Sequence, residues 1–474
     1  MGISSLGVGS GILTQDVLDQ LRKADDSQRI TPITLELANE NDKKDSLKVI
    51  DATMTNFRDS INELKSANVF DGRKSTVTGS SSVEVTASSN SDIQDFTVHV
   101  NSLATKQIEQ SGAFASSSAS VGAIDGTFKL EVGGQSVNID YTAGTTLDEL
   151  KKLIQEQAGD LVDATILQIT PTESRLVLSS KNTGAAQDIK ISDVAGTLDA
   201  KLTTDTSFDA TGAVLDPGTG LPYAAVQGGS DSSFEFNGQT ITRSSNTVDD
   251  LVTGYSIKLL KEDAVGENSN VNVVQDREEI ETKIDSFVDK YNSIITELSK
   301  QTLSSTDSET RGIFSTDSSI KSMKRSIEDM ISNVSGDGGS MEDYGFSVDR
   351  DGKMSIDKDM FNTKLDENPA NVEAFFSGGD FTKADTTVVS LTGAFSSFYD
   401  IANGYTKTNG GLDTINTNIT ENISSLEDRK LSATERLDAK YEIMKKQYTA
   451  YNLLINKFNS SSDIFTQLAN ANNN

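Results

Sequence analysis

The 474-residue chain carries 71 acidic against 42 basic side chains, a formal charge of −29, and is too long for one hydrophobic core, so at least three domains are expected. A field of that sign repels phosphate backbones and anionic headgroups, which disfavours nucleic-acid and membrane-surface binding. There is no cysteine, which excludes disulfides, thiolate nucleophiles and sulfur-ligated metals and leaves stability to packing and assembly.

The opening, MGISSLGVGSGILTQDVLDQL, lacks the basic flank and continuous apolar run of a secretory leader, and no stretch is apolar for long enough to cross a bilayer. Taken alone, this points to the cytoplasm. Leu6 stands where acylation of Gly2 would want Ser or Thr. The first dozen residues, GVGSG among them, are expected to be mobile. Asp16 to Leu21 and Ile30 to Leu37 carry a weak apolar stripe, and Pro32 disfavours one uninterrupted helix there. Leu47, Ile50, Met54, Phe57, Ile61 and Leu64 then step by three and four, which predicts an amphipathic helix.

After FDGRKSTVTG the period changes from 3.6 to 2. The runs SSVEVTAS, DFTVHVNSL, GTFKLEVGGQSVNIDY, RLVLSS and FEFNGQTITR alternate between Gly, Asn, Asp and Ser, as strands and turns require. One helix interrupts them, Thr146 to Gln157, opened by a candidate N-cap and acids. Thr203 to Gly229, poor in apolar residues and holding Pro217 and Pro222, reads as a long loop or linker.

The helical period returns with Ile280, Ile284, Phe287, Tyr291, Ile294 and Leu298. A helix at Ser318 to Val334, a hairpin in GFSVDRDGKMSID around an Asp-Gly turn, and a helix at Leu365 to Phe376 follow. Leu412, Ile415, Ile419, Ile423 and Leu426 begin a last pattern, with a phase slip near Leu431. It continues as Leu437, Tyr441, Met444, Tyr448, Tyr451, Ile455 and Phe458. The fold predicted is α+β, multidomain and elongated, with terminal helical coiled-coil or bundle legs and a β-rich insert of two domains. Its expected parts are 1–42 with 432–474, mobile and coiled-coil; 43–70 with 276–431, a helical bundle with a small hairpin; 71–107 with 231–275; and 108–230, an outer β-domain with one helix.

Little in the chain suggests catalysis. His99, the one histidine, lies in an alternating strand and is expected to be exposed. DRDG at Asp349 to Gly352 resembles part of a calcium loop, but the ligand positions would fall on Ser347 and Lys358, so a hairpin turn explains it better. Carboxylate pairs are abundant in so acidic a chain, yet the absence of Trp argues against a sugar-stacking cleft. GTGLP and GVGSG lack the strand and helix of a phosphate cradle. The Tyr441 to Phe458 stripe either completes an intrachain core or awaits a partner surface.

The order of pieces resembles one family over essentially the whole chain, the flagellar filament cap or hook-associated protein 2 family. ISSLGVGSGILTQDVLDQL and RITPI are similar to its opening segments, and FTVHVNSLATKQ (96–107) to a strand end of the form V-x-x-L-A. FEFNGQTITRSSNTVDDLVTGYSIKLL (234–260) resembles its most recognisable motif, with a turn at Asn237-Gly238 and with Asn246-Thr247 as the expected cap of a helical turn at Val248 to Leu251. FVDKYNSIITEL (287–298) and YGFSVDRDGKMSIDKDMFNTKLDENPANVEAFF (344–376) are similar to its helical-domain signatures.

The resemblance implies a non-enzymatic assembly factor without cofactor or metal. It would leave the cell through the flagellar type III export apparatus without a cleaved leader, with an export chaperone on the C-terminal helix. It would sit outside the cell at the filament tip as a homo-oligomeric ring, a pentamer by preference, holding exported flagellin while it folds into place. The contact surfaces toward other copies or flagellin would be the helical seams: Leu18, Leu21, Leu47, Ile50, Met54, Phe57, Ile61 and Leu64 near the start, and Leu437, Tyr441, Met444, Tyr448, Tyr451, Ile455 and Phe458 near the end. Two other readings stay open, a surface adhesin acting through the β-domains and a flagellin-like or hook-junction subunit.

Overall fold

The structure, a computed structural model, describes residues 14–203 and 224–471; GVGSG, GTGLP and most of the expected linker lie outside them. The chain is α+β and multidomain, with two compact units, Met1–Val69 with Glu278–Asn474 and Phe70–Arg277.

Helix α1 (Gln15–Arg29) is capped by the Thr14 hydroxyl, which accepts from the Val17 N–H. Helix α2 (Thr31–Leu64) follows at once, with Pro32 in its first turn, where a missing N–H removes no helical bond. At 34 residues it runs for about 50 Å. A single turn, α3 (Ala67–Phe70), closes this stretch.

The second unit begins with β1 (Arg73–Gly79), β2 (Val83–Ala87), β3 (Asp95–Ser102), β4 (Lys106–Gln110), β5 (Gly126–Val132) and β6 (Gln135–Tyr141). Helix α4 (Leu147–Ala158) is held by a reciprocal cap: Thr146 Oγ1 accepts from the Glu149 N–H, and the Glu149 carboxylate accepts from the Thr146 N–H. Then come β7 (Val162–Thr170), β8 (Glu173–Thr183) and β9 (Ile189–Ala195), followed by β10 (Ala224–Gln227), β11 (Ser232–Phe236), β12 (Gln239–Arg243), β13 (Thr247–Val248), β14 (Tyr255–Leu259) and β15 (Ser269–Gln275). The end of the expected linker is thus a strand, β10, because it completes the open side of β4.

All pairings are antiparallel. A five-stranded sheet, β1-β15-β3-β11-β12, and a three-stranded one, β13-β14-β2, share an apolar core that includes Val85, Val98, Phe234, Ile257 and Val273. A four-stranded sheet, β10-β4-β8-β7, and a three-stranded one, β6-β5-β9, enclose with α4 a second core around Phe128, Leu130, Leu150, Ile154 and Leu178. The β11–β12 turn places Asn237 at φ 49° and Gly238 at φ 78°, the left-handed pair that a two-residue hairpin needs.

Two expectations for this unit are corrected. Thr247 and Val248 form β13 against β14 rather than a helical turn, because the Asn246 side chain is taken by a distant backbone and caps nothing locally. His99 is half-buried rather than exposed, its Nδ1 2.6 Å from the Glu267 carbonyl oxygen. That contact requires a proton on Nδ1.

The helical unit resumes with α5 (Arg277–Thr302) and α6 (Ser318–Ser332), the latter capped by Asp317. A 3₁₀ turn at Met341–Tyr344 leads to the hairpin β16 (Phe346–Val348) and β17 (Met354–Ile356). Asp349 Oδ1 accepts the N–H groups of Asp351 and Lys353 there, so the DRDG carboxylate organises its own turn. The helix expected over Leu365 to Phe376 is two, α7 (Lys358–Glu367) and α8 (Pro369–Ser377), since Pro369 forces Asn368 into the extended region, φ −161°. A hairpin, β18 (Gly379–Thr382) and β19 (Val388–Leu391), and helix α9 (Ala394–Thr406) then precede α10 (Gly411–Ala471). The slip at Leu431 causes no break in these 61 residues; it leaves that side chain exposed.

Aromatic rings join these elements. Phe287 of α5 stacks on Phe57 of α2 at 5.8 Å between centroids and meets Phe395 and Phe398 of α9 at 5.1 and 6.2 Å. Phe376 of α8 reaches Phe395 at 5.2 Å and Tyr344 at 5.1 Å.

Candidate functional site

The helical seams divide into a part covered by the chain itself and a part left open. Leu47, Ile50, Met54, Phe57, Ile61 and Leu64 are buried, all at 3% exposure or less. Their stripe faces α9 and α10, with the Phe57 ring on Phe287 of α5, so within this chain these six are covered by its own helices. Leu18 and Leu437 are likewise buried, whereas Leu21 is exposed.

Where α1 lies on α10, polar groups hold the pair. Arg22 donates to Asp438 at 2.5 Å and to Asp26 at 2.8 Å. Asp25 Oδ2 accepts from Lys440 at 2.6 Å and from the Tyr441 hydroxyl at 2.9 Å, and the Arg22 guanidinium lies 5.6 Å from the Tyr441 ring centre. The Lys440 and Tyr441 hydrogen bonds keep the Asp25 carboxyl below the usual carboxylate range. Desolvation, reinforced by Asp25, pushes the Tyr441 hydroxyl up to about 12.

Beyond this contact the stripe opens. Tyr441, Met444, Tyr448 and Ile455 are half-buried, but Tyr451 and Phe458 are 58% and 69% exposed. Sequence reasoning ended the stripe at Phe458 and missed Phe465, which is 73% exposed, and Leu468 beside it. The signal was there: Leu437, Met444, Tyr451, Phe458 and Phe465 recur every seven residues, the spacing of a packing seam. Leu453 and Leu454 add a second exposed face.

Among the described residues no cluster of three or more acidic or histidine side chains could hold a metal ion, and no helix is long and apolar enough to cross a membrane. An open cleft of about 450 Å³ beside α2, lined by Lys44, Lys48, Asp51, Lys407 and Asp413, lacks the converging buried groups that orient a small substrate.

Residues 10–107 match the family described as flagellar hook-associated protein 2 N-terminus, and residues 229–460 match its C-terminus. A flagellar hook-associated protein 2 of Campylobacter jejuni is 30% identical over 85% of this chain and 69% of its own length. One from Escherichia coli strain K12 is 26% identical over 100% and 99%. A Helicobacter pylori relative aligns at 32% identity over 49% of this chain and 35% of its own. The crystal structure of the D1-D2-D3 domains of the Escherichia coli flagellar cap protein FliD has the same fold, with a TM-score of 0.64 and 20% identity over 79% of this chain and 99% of that one. The seam, the strand-rich insert and both matched segments fall in one order, and the chain belongs to the flagellar hook-associated protein 2 family.

Proposed function

We propose that several copies of this chain form a ring, a pentamer by preference, at the distal end of the flagellar filament and hold exported flagellin there until it folds into place. The observation that supports this most directly is the open stretch of α10, where Tyr451, Phe458 and Phe465 present large apolar surface to solvent. Such a surface on a chain of this charge marks a protein contact, and here the occupants are neighbouring copies and flagellin. Half-covered residues such as Met444 and Tyr448 suit contacts that must be exchanged at each insertion, since a fully dry interface would dissociate too slowly.

In this reading the strand-rich unit closes the channel mouth, so that an emerging flagellin does not diffuse away and its effective concentration at the tip stays high. The chain reaches the tip through the type III export apparatus, with a chaperone covering the C-terminal helix beforehand. The test is removal of the gene. Monomeric flagellin should accumulate in the medium and filaments should fail to elongate, with recovery on complementation; filaments of normal length would refute the proposal.

A further inference from the structure

Strand β4 turns a polar face inward. Gln107 and Glu109 alternate on its buried side and buried Ser111 follows its end, with Glu109 at 0% exposure, where a core-facing strand ordinarily carries apolar residues. Ser111 is satisfied, its Oγ accepting from the Leu176 N–H at 2.8 Å and donating to the Gly112 carbonyl. Gln107 is oriented from both ends. Its Oε1 accepts the Gly229 N–H at 2.6 Å, so its Nε2 is the end that donates to Glu109 Oε1. Gln107 thereby connects Glu109 to the segment by which the chain returns toward β11.

Glu109 Oε2 is buried without a partner, and so is Asp188 Oδ1, one residue before β9. The other Asp188 oxygen is 3.1 Å from Lys190 Nζ. Glu109 sits between Leu178 of β8 and Ala225 of β10 in the sheet; Lys181 of β8 pairs with Asp163, and Asp188 is the charged group that acts on Glu109. An ionised Glu109 with a fully buried, unpartnered oxygen would be costly, a cost that the neutral acid does not carry.

We propose that Glu109, kept neutral by burial and by the charge of Asp188, is a pH-sensitive latch: as the neutral acid it lets β4 pack between β8 and β10, and loss of its proton leaves an unpartnered charge inside the sheet and loosens β4, β10 and the Gly229 segment. Burial, with Asp188 adding to it, pushes the Glu109 carboxyl up to about 7, which puts the transition near neutrality.

Hydrogen exchange of the full chain at about pH 5 and about pH 8.5, corrected for intrinsic rates, tests this. Protection in 104–111 and 224–231 should fall about tenfold at the higher pH, while α5 stays unchanged. Glu109→Gln should stay protected at both values, and Asp188→Asn, which removes the like charge, should lower the pH at which protection is lost. Equal protection of the wild type at both values, the same pH response in Glu109→Gln, or an unmoved midpoint in Asp188→Asn would overturn the latch. Restored protection at high pH on adding calcium chloride would overturn it too, by making the pair a cation site.

Discussion

The Asn246 side chain accepts a 2.7 Å hydrogen bond from the Ala104 N–H and donates a 2.9 Å one to the Ala104 carbonyl. It thus satisfies both polar groups of a buried residue 142 positions away, at the end of the strand that carries His99. Ala104 belongs to the V-x-x-L-A segment and Asn246 to the SSNTVDD segment, so two stretches that mark the family in sequence meet in space.

Asn246→Ala should therefore destabilise the strand-rich unit by about 1–3 kcal/mol, the cost of leaving a buried N–H and C=O unpaired. Asn246→Asp, which keeps the acceptor and loses the donor, should fall between. Urea titration followed by circular dichroism checks both; an alanine variant as stable as the wild type would show that water replaces the amide.

Phe287 touches rings from α2, α9 and β16 and is fully buried. Phe287→Ala should cost about 3–5 kcal/mol through lost transfer energy and the cavity left behind, with a lower denaturation midpoint for the helical unit. Phe287→Leu should recover part of that loss.

The Asp25 carboxylate accepts from Lys440 and Tyr441. Its folded pKa lies below the ordinary value, so its contribution is present above the ordinary carboxylate range and disappears as pH falls through the folded value. Hydrogen exchange in α1 should therefore accelerate in acid before α5 does. Tyr441→Phe and Asp25→Asn should accelerate it at neutral pH as well, and Asp25→Asn should no longer respond to acid in that range.

Tyr451→Asp and Phe458→Asp act on exposed positions and should change monomer stability by no more than about 0.5 kcal/mol. If these residues serve the contacts proposed for α10, sedimentation should show association shifted to higher protein concentration, and complemented cells should make shorter filaments. Unchanged association in both variants would place the oligomer contact elsewhere.

Local chemistry was enough to read much of this chain. Leu47 to Leu64 and Ile280 to Leu298 announce helices because a 3.6-residue repeat puts every apolar side chain on one face, and Asn237-Gly238 announces a hairpin because few other pairs accept two left-handed residues. Thr146 marks a helix start by the orphan N–H group it satisfies, whereas Pro32, which speaks against one unbroken helix there, turns out to sit in the first turn of α2. None of these signals reaches beyond a few residues. That Leu47 to Leu64 would be sealed by α5 and α9 while Tyr451 and Phe458 stay open depended on how much apolar surface the rest of the fold could bring to each helix. That Asn246 would hold Ala104 instead of capping its own turn, and that β4 would bury Glu109 with Gln107, depended on partners supplied by segments far along the chain. A periodic pattern states that a face needs covering; which atoms cover it is a property of the assembled fold.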